Sequence, residues 1–127
     1  MGIIVDTSAW IEFFQSTEKG KRVAEVLKTE QSFTSDTSLA EMVDWCLRNN
    51  LGDKVKPYVE GIKSASQRVA LNEPIILASG KINYQRKKNM KKWGMMDSFI
   101  LAIALFYDLK ILTKDSDFRD LPNVEIL

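Results

Sequence analysis

Ile3-Ile4-Val5-Asp6-Thr7-Ser8, leading into Ala9-Trp10-Ile11-Glu12-Phe13-Phe14, decides how this chain folds. The apolar run 3–5 has no polar alternation, as expected of a central strand buried on both faces. Asp6, Thr7 or Ser8 can cap the helix that follows, which carries Trp10, Ile11, Phe13 and Phe14. Asp6 therefore stands just past the carboxyl end of a buried strand, where open parallel sheets gather their functional groups.

Further along, short strands alternate with helices. Residues 18–29 form a helical pattern with Val23, Val26 and Leu27 on one side, and 32–34 is a candidate strand. Ser38 and Glu41 match the S-x-x-E capping box and introduce a helix to about residue 50. Val55, Val59 and Ile62 place a helix over 54–65, with Pro57 near its start, and 68–71 reads as a strand. Asn72-Glu73-Pro74 opens a helix running to about residue 90, and Trp93-Gly94 breaks it. Asp97 begins an apolar helix to Tyr107, and 110–113 and 124–127 look like strands. The alternation predicts an α/β fold, with a mainly parallel sheet covered on both faces. No repeat or linker divides it, so residues 1–127 read as one domain.

Composition narrows the chemistry. A net charge of +1 makes the whole chain no obvious polyanion binder, so attraction for nucleic acid must come from uneven charge. The absence of histidine removes Ser-His-Asp triads and the usual zinc ligand sets. The lone Cys46 falls at helical spacing with Leu39, Met42, Val43 and Leu47, a packing role that also suits a reducing compartment. The longest apolar run, 99–107, is nine residues against the roughly 20 that span a bilayer. With no secretory leader evident, the expectation is a soluble cytoplasmic protein without membrane contact.

Four carboxylates stand where a parallel α/β fold would gather them. Asp6 and Asp115 follow strands, Asp97 starts a helix, and Glu41 lies in a first helical turn, with Asp117 close behind Asp115. Their separations of 35, 56 and 18 residues exclude a local loop site such as an EF-hand. Each acid alone could be a helix cap or a turn former. Convergence of all four would be strongly repulsive without a cation, and an oxygen-only ligand set favours Mg²⁺ or Mn²⁺. Such ions support phosphoryl chemistry, in which an activated water replaces the missing histidine base.

These motifs resemble those of the PIN-domain ribonucleases, the family that includes the VapC toxins. The resemblance runs through Ile3-Ile4-Val5-Asp6-Thr7-Ser8, Ser38-Leu39-Ala40-Glu41, the Asp97-opened helix Asp97-Ser98-Phe99-Ile100-Leu101-Ala102, and Leu112-Thr113-Lys114-Asp115-Ser116-Asp117-Phe118. It implies a three-layer α/β/α sandwich and metal-dependent hydrolysis of RNA phosphodiesters. It also implies Asp6, Glu41, Asp97 and Asp115 as catalytic metal-site carboxylates, with Asp117 acting through water or from behind the ligands. Thr7, Ser8 and Thr113 would orient a carboxylate or water by hydrogen bonding. The implied partners are an RNA substrate, a protein antitoxin and a second copy of the chain.

Arg86, Lys87, Lys88, Lys91 and Lys92 put five cations into seven residues, flanked by Tyr84 and Trp93. The segment leads to Asp97, and it reads either as a phosphate grip with Trp93 stacking on a base or as a solvated basic helix end. Trp10, Phe13, Phe14, Trp45 and Phe106 read first as core, with a share available to a partner surface. Two other functions compete. A haloacid-dehalogenase-like phosphatase would use Asp6 as a covalent nucleophile, but it expects a second Asp two residues on, where Ser8 stands. A non-catalytic RNA- or protein-binding domain on the same fold is the other alternative.

Overall fold

Alternation within the strands settles which side chains face which layer. In the computed structural model, which describes residues 2–127, β1 (Gly2–Val5) sends Ile3 and Val5 to one side of the sheet and Ile4 to the other. β4 (Lys110–Thr113) does the same with Leu112 and Ile111. Both strands therefore place apolar side chains on the two faces in succession, as a sheet covered on both sides requires.

The remaining elements are α1 (Thr7–Phe14), α2 (Glu18–Thr29), β2 (Gln31–Ser35), α3 (Asp36–Arg48), α4 (Val55–Ala65), β3 (Gln67–Val69), α5 (Glu73–Lys87), α6 (Met95–Tyr107) and β5 (Val124–Ile126). One-turn 3₁₀ segments precede α4 and follow Asp115. The five strands pair in the order β3-β2-β1-β4-β5, and every pairing is parallel, with Ile4 opposite both Phe33 and Ile111. One core packs Trp10, Val23, Val26, Met42, Cys46 and Ile62 beneath α1–α4. The other packs Ile75, Trp93, Ile100, Ile103 and Phe118 beneath α5 and α6. The three-layer α/β/α sandwich is thus realised, with a wholly rather than mainly parallel sheet. No described helix is long and apolar enough to cross a membrane.

Several local expectations change. α3 starts at Asp36, two residues before Ser38, and Ser35 caps it by accepting from the Thr37 N–H at 3.2 Å. Ser38 is consequently inside the helix and fully buried, so the Ser38–Glu41 capping box does not form. α5 ends at Lys87, earlier than its charge pattern suggests. Phe106 is 53% exposed at the end of α6, outside the core expected for it, beside exposed Leu105 and Tyr107. Between α1 and α2 the backbones come so close that a Cβ on Gly20 would collide with the carbonyl of Glu12.

Candidate metal centre

The carboxyl ends of β1, β2 and β4 open on one side of the sheet, and each leads into a functional side chain. Asp6, directly after β1, is buried and caps α1, its Oδ1 accepting from the Thr7 N–H at 2.9 Å. Its Oδ2 accepts from Thr113 Oγ1 at 2.8 Å and from Ser8 Oγ at 3.0 Å. Three donors, two from α1 and one from β4, thus fix this carboxylate at the end of β1. Glu41, freed from capping, accepts from Thr7 Oγ1 at 2.7 Å. Asp97 lies in the first turn of α6 and takes the Gly94 N–H at 2.9 Å. Asp115 follows β4 and caps the short turn beyond it, accepting from the Asp117 N–H at 2.9 Å.

Asp6, Glu41, Asp97 and Asp115 line one cavity of about 240 Å³. Asp117 does not line it; it opens on a neighbouring cavity of about 290 Å³ with Lys91, Lys92 and Arg119. Thr7 and Ser8 share the acid cavity, whereas Thr113 is buried behind Asp6. The structure therefore gathers the four principal acids, with Asp117 one step outside.

Their electrostatics record the crowding. Burial pushes the Asp97 carboxyl up to about 6, against the pull of the Gly94 N–H, and Asp6, Asp115 and Asp117 add to the rise. Glu41 is raised by burial and by Asp6, Asp97 and Asp44, in spite of Thr7. Burial also raises Asp6, with Asp115 adding to it, against its three donors. Carboxylates that raise one another across a shared cavity are short of positive charge.

The donor set fits a hard divalent cation: every candidate ligand is an oxygen, and hydroxyls stand behind the carboxylates. Among the described residues, no three acids close into a ready-made ion cage. An open arrangement suits Mg²⁺ or Mn²⁺, which retain waters and share coordination with substrate phosphates.

The basic segment divides. Trp93 is fully buried, its N–H donating to Ser98 Oγ at 2.8 Å and its ring packed on Phe118, so it is not available to stack on a base. Arg86 is also committed internally: it pairs with Asp120 at 2.9 Å, donates to the Asp117 carbonyl at 2.7 Å and lies over the Trp93 ring. Arg86, in the last turn of α5, and Trp93, in the segment that follows, thus pack against the Asp117 loop and do not face outward as RNA contact would require. Lys87, Lys88, Lys91 and Lys92 remain exposed. Trp45, expected first in the core, and Arg48, which the motifs do not single out, also line the acid cavity. Their spacing of four and seven residues from Glu41 was the available signal.

Comparison with known proteins finds relatives of the same fold. The chain is 25% identical over 120 residues to the VapC ribonuclease Mb1587 of Mycobacterium bovis, covering 91% of this chain and 88% of that protein. Ribonuclease VapC11 of Mycobacterium tuberculosis matches to the same extent. A toxin–antitoxin complex from Klebsiella pneumoniae superposes with a TM-score of 0.76 at 19% identity, covering 98% of this chain and 96% of that one. Mycobacterium tuberculosis VapC20, described as a sarcin–ricin loop cleaving toxin, gives 0.77 at 14% identity, covering 98% of each chain. The model of the PIN domain matches residues 3–124, and this chain belongs to the PIN domain family.

Proposed function

We propose that this chain is a Mg²⁺- or Mn²⁺-dependent endoribonuclease, the toxin of a toxin–antitoxin pair, and that residues 1–127 act as one domain. The observation that carries the reading is the meeting of Asp6, Glu41, Asp97 and Asp115, far apart in sequence, at one cavity beyond the strand ends. Membership of the PIN family and likeness to relatives named ribonucleases support it.

Asp6, Glu41, Asp97 and Asp115 would hold the cation, and Asp117 would act from behind them. When bound, a divalent cation supplies Lewis acidity toward a phosphate oxygen and eases deprotonation of an attacking water. The chain's own contribution is orientation. Thr113 and Ser8 fix the Asp6 carboxylate, Thr7 fixes Glu41, and the Gly94 N–H fixes Asp97. Lys91, Lys92 and Arg119, around the cavity next to Asp117, supply positive charge for the RNA backbone, with Lys87 and Lys88 extending it. Acting on cellular RNA, the protein would work in the cytoplasm. A protein antitoxin is a proposed partner, supported by the toxin–antitoxin complex that shares this fold, and a second copy of this chain is proposed beside it.

The experiment is cleavage of total RNA by purified wild type and Asp97→Asn, with Mg²⁺ or Mn²⁺ and with EDTA. Cleavage confined to wild type with metal is expected. Cleavage by Asp97→Asn, or in EDTA, overturns the assignment.

A further inference from the structure

The chain has three tryptophans, and one is unlike the others. Trp10 and Trp93 are fully buried, and their indole N–H groups donate to Thr34 Oγ1 at 3.1 Å and Ser98 Oγ at 2.8 Å. Trp45 is only half-buried and stands at the wall of the acid cavity. Among the described residues its N–H has no hydrogen-bond partner, and it is not one of the buried unpaired atoms. It is open to solvent.

α3 sets Glu41, Trp45 and Arg48 at i, i+4 and i+7, which places them on one stripe of the helix. All three line the cavity, so a carboxylate, an indole and a guanidinium succeed one another along its wall, and Ile11 of α1 adds a second apolar surface. Hydrolysis of a phosphodiester needs the carboxylates but has no use for an indole. A nucleobase does, because its π-face stacks on an aromatic ring whatever its sequence identity. Arg48 is the single cation lining this cavity. Its bridge to Asp44, 2.7 Å long, joins two side chains that are each about two-thirds exposed. Such a bridge is weak, and the guanidinium can exchange it for a phosphate.

We infer that Trp45 is a base-stacking platform beside the candidate metal centre, with Arg48 holding the phosphate on its outer side. The substrate must then present an unpaired nucleotide next to the bond that is cut. This deepens, and rests on, the reading of the site as acting on RNA.

The test uses a fluorescein-labelled single-stranded RNA of about 12 nucleotides and versions of it lacking one base at a time. Binding is measured by anisotropy, and Mg²⁺-dependent cleavage of the same RNAs is followed in parallel. For wild type, removing one particular base should weaken binding about tenfold, while removal elsewhere has little effect. Trp45→Phe should keep that penalty. Trp45→Leu, checked for its fold by circular dichroism, should bind the intact RNA more weakly and lose the penalty.

A wild-type scan with no position-specific penalty overturns the inference, whatever becomes of the variants. So does an unchanged penalty in Trp45→Leu. If Trp45→Leu leaves RNA binding intact but lowers self-association in sedimentation, the wall belongs to a protein contact and the inference also falls. Absence of cleavage together with the full Trp45-dependent penalty removes the nuclease reading and leaves the platform standing. Cleavage without any penalty does the reverse.

Discussion

Thr113 Oγ1 donates to Asp6 Oδ2 at 2.8 Å, tying the carboxyl ends of β1 and β4 together through side chains 107 residues apart in sequence. Asp6 is raised by burial, and this donor is the largest of the three influences that oppose the rise. Thr113→Val keeps the shape and removes the donor. It should cost about 1–2 kcal/mol of stability and weaken divalent-cation binding by about 10- to 100-fold. Urea unfolding and calorimetric titration with Mn²⁺ measure the two.

The Asp97 carboxyl, pushed up to about 6 chiefly by burial, makes stability depend on pH. Its folded-state value lies above the 3.8 of an ordinary Asp, so the folded chain holds this proton more tightly than the unfolded one. The group's contribution therefore favours folding below that ordinary value and is lost as pH rises toward 6. A bound cation offsets the loss and competes with the proton. Added Mn²⁺ should raise the melting temperature more at about pH 7.5 than at about pH 5. Equal shifts at both pH values would separate Asp97 from the cation.

Gly20 packs α2 against α1 where a Cβ would strike the Glu12 carbonyl, a backbone atom that cannot swing aside. Gly20→Ala should destabilise the protein by about 1–3 kcal/mol, outweighing alanine's better helix propensity. The comparison is made by urea unfolding at equal pH and salt.

The basic segment should separate by burial. Replacing Lys87, Lys88, Lys91 and Lys92 with Gln should flatten the dependence of RNA affinity on salt while leaving the melting temperature nearly unchanged. Arg86→Gln should instead lower the melting temperature, because Arg86 holds Asp120 and the Asp117 carbonyl and covers Trp93. A flattened salt slope from Arg86→Gln alone would return that residue to the RNA-binding surface.

The strands were the most legible part of the sequence. Ile3-Ile4-Val5 and the run 110–113 have no solvent-facing alternation, which only a doubly covered sheet explains. The acids were legible as a set because each adjoins the end of a strand or the start of a helix. Helix starts were less so: Ser38 and Glu41 have capping-box spacing, but Ser35 captures the cap one turn earlier and leaves Glu41 to Thr7. The environment of an aromatic could not be read from its neighbours. Trp93 stands among lysines yet is buried, because the chain turns back beneath Phe118. Trp45 lies among apolar residues yet reaches the cavity wall, because α3 aims it along the same stripe as Glu41.

The strand order β3-β2-β1-β4-β5 has a consequence for a chain being made on a ribosome. β1 leaves the exit first but occupies the centre of the sheet, and one of its two neighbours, β4, begins only at Lys110. Until that strand emerges, Asp6 lacks Thr113 and the cavity lacks Asp115. A growing polypeptide therefore carries an incomplete acid set, and the cell that synthesises it is exposed to the assembled centre only after β4 and Asp115 have been made.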